Sequence, residues 1–107
     1  MITALESRIL DANSEASGVS IEQLMLNAGK SLASFIRKEA EGRVLIICGS
    51  GNNGGDGYAS HRFLTGVDYT LCRFREPKSP LCRKMAENLN TVSFDDVDLN
   101  EYGTIVD

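Results

Sequence analysis

Apolar residues recur every three or four positions between Ser20 and Lys38, which predicts an amphipathic helix. The apolar positions on this face are Ile21, Leu24, Met25, Ala28, Leu32 and Ile36. Ser20 with Gln23 three residues later has the spacing of a capping box at the helix start. A similar box at Thr3 opens a weaker pattern, which predicts an earlier helix ended by Gly18.

Further along the chain, short apolar runs alternate with stretches of helical spacing. Val44 to Cys48 is continuous and β-branched, which is typical of a central strand buried on both faces of a parallel sheet. Further strands are predicted at Tyr69–Phe74, Thr91–Phe94 and Gly103–Asp107, and further helices from about Gly57 to Thr65 and from Pro80 to about Asn90. This alternation predicts an α/β fold with right-handed crossovers, a Rossmann-like three-layer α/β/α arrangement preceded by N-terminal helices.

The stretch Gly49–Gly57 has the composition of a binding loop, with five glycines, two asparagines, one aspartate and one serine. Such a loop lets backbone N–H groups converge on an anion. It leads into the next predicted helix, whose N-terminus also favours negative charge. We therefore expect a ligand with anionic groups where the central strand ends.

Two simpler interpretations of the same residues stay open. Asn53-Gly54 and Asp56-Gly57 are both turn dipeptides, and either alone would indicate a tight turn. The dinucleotide fingerprint G-x-G-x-x-G fits Gly49, Gly51 and Gly54. The acidic residue expected about 20 positions later has only Asp68 as a candidate, and Asp68 precedes its strand, which argues against an ordinary Rossmann cofactor site.

Composition narrows the classes of partner. The 107 residues carry a net charge of −4 and no stretch concentrates Lys and Arg, so nucleic acid is not expected. Lys78, Arg83 and Lys84, near the helix that begins at Pro80, are interpreted as a solvated face. No apolar segment is long enough for a membrane span and no signal peptide is recognisable, so we expect a cytoplasmic protein.

The cysteines, the single histidine and the acidic cluster near the end of the chain show no pattern of a metal site or a nucleophile. Cys48, Cys72 and Cys82 form neither an even disulfide set nor a C-x-x-C pair, and are expected to act as small apolar residues. His61 has no Cys, Asp or second His at ligand spacing, so we expect a surface residue and no zinc site. The acidic residues Asp95–Glu101 lack the spacing of a calcium loop.

Three segments resemble the NAD(P)HX epimerases, the YjeF N-terminal domain family. GSGNNGGDGYASHRFL from Gly49 to Leu64 resembles the family signature, LMLNAG from Leu24 to Gly29 resembles its L-M-x-N-A-G, and TIVD from Thr104 to Asp107 resembles its I-V-D. The resemblance covers essentially the whole chain as the N-terminal half of that domain. It implies one domain over residues 1–107, with helices over 1–40, a Rossmann-like core over 41–107 and a sheet incomplete at its C-terminus.

The resemblance also implies an activity, which is interconversion of the R and S forms of hydrated NADH and NADPH. The residues that it assigns to substrate binding are Asn52, Asn53, Gly54, Gly55 and Asp56. It implies a potassium ion held by Asn53 and Asp107. Asp56 is expected to act as the acid/base or to orient the ligand, with service as a helix N-cap as the alternative.

The same resemblance implies which proteins this chain would act beside or associate with. An NAD(P)HX dehydratase is expected as a separate partner or a fused domain, and homodimers are expected. The residues that choose between the two hydrated cofactors are expected beyond Asp107. Two other functions stay open, a non-catalytic scaffold of the same fold and a general nucleotide-binding domain that would bind intact NAD equally well.

Overall fold

The computed structural model describes residues 20–107, except for the side chains of Asn52 and Asn53. Its helices and strands are α1 (Ile21–Glu39), β1 (Val44–Cys48), α2 (Asn52–Ser60), β2 (Tyr69–Arg73), α3 (Pro80–Ala86), β3 (Val92–Ser93) and β4 (Thr104–Val106). Short 3-10 helices cover His61–Phe63, Phe94–Asp96 and Leu99–Glu101. The helix predicted between Thr3 and Gly18 lies outside the described residues.

Serine N-caps set the starts of two helices. The Ser20 side chain accepts a hydrogen bond from the Gln23 amide at 3.1 Å, so the predicted start of α1 is confirmed. Ser79 caps α3 in the same way. The predicted extension of α3 to Asn90 is wrong, because the chain leaves helical geometry at Glu87 and Asn88 adopts a left-handed conformation with φ of 63°.

The four strands of the described part form one parallel sheet in the order β3-β2-β1-β4. β1 pairs with β2 on one side and with β4 on the other, so Ile46 lies beside both Leu71 and Val106. The predicted central position of Val44–Cys48 and the α/β class with a parallel sheet are confirmed. β3 is shorter than predicted, because the chain turns into a 3-10 helix at Phe94.

The core lies between one face of the sheet and the helices. Side chains alternate along a strand, so Ile46, Leu71 and Val106 point to the same face. They share a buried cluster with residues of all three described helices, including Met25, Ile36, Tyr58, Ala59, Cys82 and Met85. Burial of each large apolar side chain stabilises the fold by about 1.5–3 kcal/mol relative to exposure.

The three cysteines are free and buried, as predicted for small apolar residues. Cys48 and Cys82 belong to the helix-facing cluster. Cys72 and Leu45 are also fully buried but lie at strand positions that point to the opposite face. None of the helices within residues 20–107 has the length and apolar content needed to span a bilayer.

α1 packs on α2 with almost no space between the two backbones. A Cβ atom at Gly29 would lie 2.8 Å from the carbonyl carbon of Ala59 and 2.9 Å from the amide nitrogen of Ser60. At the far end of the same interface, the Arg37 guanidinium donates to the Phe63 carbonyl at 2.6 Å. α1 therefore holds the C-terminal end of α2 and the 3-10 helix that follows it.

We predict that Gly29→Ala destabilises the protein by about 1–2 kcal/mol. Alanine improves helix propensity by about 1 kcal/mol, but the overlap with the α2 backbone costs about 2–3 kcal/mol, the upper part of the range for overpacking. Urea unfolding measures the change. Ser34→Ala, at an exposed position of α1, is the control and should leave the midpoint nearly unchanged; equal midpoints for both variants would contradict the packing account.

Candidate functional site

The turn that follows β1 is shorter than the predicted loop. α2 begins at Asn52, so only Gly49, Ser50 and Gly51 connect it to β1. Gly51 is the N-cap and provides no side-chain hydrogen bond. The first helical hydrogen bond of α2 runs from the Gly55 amide to the Gly51 carbonyl at 3.1 Å. The N–H groups of residues 52–54 precede it and form an end of the helix that favours anions.

Buried glycines let other backbones and side chains approach α2. A Cβ atom at Gly54 would lie 2.2 Å from the carbonyl oxygen of Gly49. At Gly55 it would lie 2.6 Å from the Met25 sulfur, and at Gly57 2.8 Å from the Cys48 sulfur. The missing side chains therefore leave space for protein atoms, so the interpretation of Gly54–Gly57 as part of an open loop is wrong. Their contact with substrate stays a prediction.

Gly49 and Gly51 behave differently from the glycines inside α2. No atom lies within 4 Å of a Cβ atom built at either position. Neither residue has a positive φ. The turn is therefore open on the side where a ligand would approach the N-terminus of α2, which fits the predicted close approach of backbone to ligand.

Asp56 lies within α2 and is 1% exposed. The predicted alternative, in which Asp56 caps the helix, is wrong because Gly51 occupies the N-cap position. Asp56 lies near Cys82 of α3: burial, followed by the charge of Asp56, raises the pKa of the Cys82 thiol. The carboxyl group is thus positioned beneath the turn, in the interface between α2 and α3.

The buried nucleophilic side chains of β1 and α2 are held neutral. Burial first, and then the neighbouring Cys82 and Cys72, raise the pKa of the Cys48 thiol well above its ordinary value. Burial also raises the pKa of Tyr58, whose hydroxyl has no hydrogen-bond partner among the described residues. Because the thiolate is the reactive form of cysteine, Cys48 is a packing residue and not a nucleophile.

β4 brings Asp107 to the same edge of the sheet. Asp107 is exposed and directly follows Val106, which pairs with Ile46 of β1. The connection through α2 leads from β1 to β2, whereas β4 lies on the other side of β1. The gap between the carboxyl ends of β1 and β4 is therefore a topological switch point, where open α/β sheets bind their ligands.

The donor set near this switch point is made of oxygen atoms. It comprises the Asp107 carboxylate and turn carbonyls. The side chain of Asn53, the other predicted ligand, is not described. Such ligands suit a hard cation. No group of three or more His, Cys, Asp or Glu side chains within residues 20–107 is arranged to hold a metal. The predicted potassium ion thus fits the type of ligand present and stays a prediction.

The connection from β2 to α3 lines the other side of the turn. The Phe74 amide donates to the Cys48 carbonyl at 3.0 Å, and the Lys78 and Ser79 amides donate to the Ser50 carbonyl at 2.8 and 3.2 Å. These bonds hold the turn against residues 74–79. This contact could not be predicted from the sequence, because no local pattern reports a hydrogen bond between segments so distant along the chain.

His61 lies away from this edge. Its ring is exposed, as predicted, and hydrogen-bonds the Tyr69 hydroxyl. Both residues line an open cavity of about 630 Å³ that also includes Asn88 and Thr91. The cavity lies beside the amino end of β2, opposite the glycine turn. We place the candidate site at the carboxyl edge, where the open turn, the helix N-terminus and Asp107 come together.

The comparisons with known proteins agree with the predicted resemblance. The family described as YjeF-related protein N-terminus matches residues 21–104. The chain is similar to the bifunctional NAD(P)H-hydrate repair enzyme Nnr of Archaeoglobus fulgidus, with 42% identity over 94 residues that make up 87% of this chain and 20% of that protein. It is also similar to the NAD(P)H-hydrate epimerase of Paramecium tetraurelia, with 35% identity over 88% of this chain and 45% of that protein.

A solved structure shares the fold. The yeast protein ynu0 superposes with a TM-score of 0.65 and 23% identity, over 95% of this chain and 50% of that one. The chain therefore spans between a fifth and a half of the length of these three proteins.

We predict that Gly54→Ala destabilises the protein by about 3 kcal/mol, because the new methyl group would overlap the Gly49 carbonyl and overpacking against backbone is costly. Urea unfolding is the measurement. The matched control is Gly49→Ala, where the methyl group meets open space and the change should stay within about 0.5 kcal/mol. A Gly54→Ala protein as stable as the control would refute the assigned contact.

We further predict that stability falls as pH rises above about 8.5, the ordinary pKa of an unfolded cysteine. The folded state keeps Cys48 protonated because its pKa is raised, so the unfolded state loses its proton first. This thiol should account for a loss of about 1–2 kcal/mol between about pH 8 and pH 10. Urea midpoints across this range measure the slope. Cys48→Ala should reduce the slope but not abolish it, because burial also raises the pKa values of Cys72 and Cys82. An unchanged slope would contradict the burial of Cys48.

Proposed function

Because the chain belongs to the family of YjeF-related protein N-terminal domains, we propose that it interconverts the R and S forms of hydrated NADH and hydrated NADPH. The observation that carries the proposal is the position of residues 52–56. They open the helix that follows the central strand after a three-residue turn, beside a topological switch point. Relatives that match this part of the chain are named NAD(P)H-hydrate epimerase and NAD(P)H-hydrate repair enzyme.

The N-terminus of α2 would bind the pyrophosphate of the hydrated dinucleotide. The N–H groups of residues 52–54 precede the first helical hydrogen bond, and the helix dipole adds positive potential at the same point. The open space above Gly49 and Gly51 supports close approach of phosphate oxygens to the turn. This geometry favours a ligand with a central anionic group.

Asn53 and Asp107 would hold the potassium ion. A bound cation would supply electrostatic stabilisation for the charge that develops during epimerisation. Asp107 extends from β4, the immediate neighbour of β1, so its carboxylate can reach the turn side of the switch point without a change of fold. The potassium ion would thus lie where the nicotinamide half of the substrate enters the gap between the two strands.

Epimerisation requires that the hydroxyl group at the hydrated carbon leaves and returns to the opposite face. A proton must accompany the departing oxygen and be removed when water adds again. We propose that Asp56 supports this step by orienting the residues around the turn. Its burial between α2 and α3 favours positioning over direct proton transfer.

A dehydratase is the expected partner. The Archaeoglobus fulgidus relative is named a bifunctional repair enzyme. An epimerase would supply a dehydratase with the one epimer that it uses, so we propose that this chain acts beside such an activity, fused or separate. A homodimer also stays a prediction.

The direct test is an epimerisation assay. The protein is mixed with a single epimer of hydrated NADH, and we expect the second epimer to appear faster than in buffer. Intact NADH should compete poorly. Equal competition by intact NADH would favour a general nucleotide-binding domain, and tight binding without epimerisation would favour the non-catalytic scaffold.

Asp107→Ala tests the potassium site within the same assay. We predict that the potassium concentration for half-maximal activity rises roughly tenfold, because loss of one carboxylate ligand costs about 1.4 kcal/mol or more. Asp68→Ala removes an exposed carboxylate near the other end of the sheet and is the control. If Asp107→Ala and wild type respond equally to potassium, the ion is not held by Asp107.

A further inference from the structure

Basic residues concentrate in the segment from Arg73 to Lys84, although the chain as a whole is acidic. The segment holds five of the eleven Lys and Arg residues and only one acidic residue, Glu76. The interpretation that no stretch concentrates Lys and Arg is therefore wrong for this segment. It connects β2 to α3 and continues into α3.

Most of these cations are engaged by groups within the fold. Arg73 forms an ion pair with Glu76 at 2.9 Å, and Lys84 forms one with Glu22 at 2.7 Å. The Arg83 side chain donates to the Pro77 carbonyl at 3.3 Å. Two cations remain: Arg75 and Lys78 are exposed, and neither forms an ion pair within residues 20–107.

The position of these two residues is fixed by the turn of the candidate site. Phe74, directly before Arg75, donates its amide hydrogen to the Cys48 carbonyl at the end of β1. Lys78 donates its amide hydrogen to the Ser50 carbonyl inside the turn. The Arg75 guanidinium lies 5.5 Å from the centre of the Phe74 ring, a distance that supports a cation–π contact. Arg75 and Lys78 therefore flank the turn on its β2 side.

The strand order indicates which half of a bound dinucleotide would lie on the β2 side of the turn. A pyrophosphate at the N-terminus of α2 lies in the middle of the ligand, so the two nucleoside halves extend in different directions. One half faces the switch point between β1 and β4. The other half then extends over the end of β2, about 5 Å away from β1, and meets the connection that carries Arg75 and Lys78.

We propose that Arg75 and Lys78 bind the 2′-phosphate of the adenosine half, so that the site prefers hydrated NADPH to hydrated NADH. The inference rests on the proposed function. An arginine near the end of the second strand is a known solution for a ribose 2′-phosphate in related α/β folds. A carboxylate at that place would bind the free 2′-hydroxyl instead, and here the acidic side chain of Glu76 is occupied by Arg73.

This places the choice between the two cofactors within the chain, rather than beyond Asp107 as the family resemblance implied. The 2′-phosphate is a dianion at neutral pH, and the two positive charges of Arg75 and Lys78 together match its charge. Phe74 restricts the arginine side chain through its ring contact. Arg75 and Lys78 are specificity residues in this account and take no part in the reaction.

The test uses two substrate fragments, ADP-ribose and 2′-phospho-ADP-ribose, titrated into the protein by calorimetry. We expect the 2′-phosphorylated fragment to bind at least roughly tenfold more tightly. The double variant Arg75→Gln with Lys78→Gln should lose this preference and keep its affinity for ADP-ribose. The matched control is Lys30→Gln with Arg62→Gln, which removes the same charge from exposed positions on α1 and after α2 and should keep the preference.

The failures of the two proposals are distinguishable. Equal binding of both fragments by the wild-type protein, or a preference that survives in the double variant, overturns the phosphate site and leaves the proposed function standing. If the control variant also loses the preference for the 2′-phosphorylated fragment, that preference depends on the net charge of the protein. This result would also overturn the phosphate site at Arg75 and Lys78. If neither fragment binds the wild-type protein, the proposed function fails and the phosphate site fails with it.

Discussion

The contact between Gly54 and the Gly49 carbonyl is the constraint on which the candidate site depends. Any Cβ atom at position 54 would lie 2.2 Å from that oxygen. The absence of a side chain lets the first turn of α2 rest directly on the end of β1. The helix N-terminus, with its unpaired amides, is thereby fixed at the carboxyl edge of the sheet.

Other glycines in and around α2 are also required, because a side chain at their positions would clash with a neighbouring element. Gly55 admits Met25 of α1, Gly57 admits Cys48 of β1, and Gly29 admits the α2 backbone. A Cβ atom at Gly55 would also meet Cys82 of α3. α2 is thus held by β1, α1 and α3, although its own sequence is poor in large apolar residues. A helix with so many glycines has weak intrinsic propensity, so tertiary packing maintains it and holds its N-terminus at the carboxyl edge of the sheet.

Much of the fold could be predicted from the sequence, because the relevant signals are local. Ser20 and Ser79 marked helix starts, and the apolar run of β1 marked a buried strand. The glycine run was misinterpreted as a loop up to Gly57 because glycine composition alone does not distinguish a ligand-facing turn from a helix packed against backbone. The bonds from Lys78 and Ser79 to Ser50 join distant segments, and no periodicity reports them.

The proposed function depends on binding of the hydrated dinucleotide at the N-terminus of α2. Amide chemical shifts in a titration with hydrated NADPH measure this binding, because each backbone N–H reports its own surroundings. We expect the largest changes at residues 51–54 and smaller ones at residues 74–78. Changes confined to the cavity beside His61 and Asn88, at the opposite edge of the sheet, would contradict binding at the N-terminus of α2.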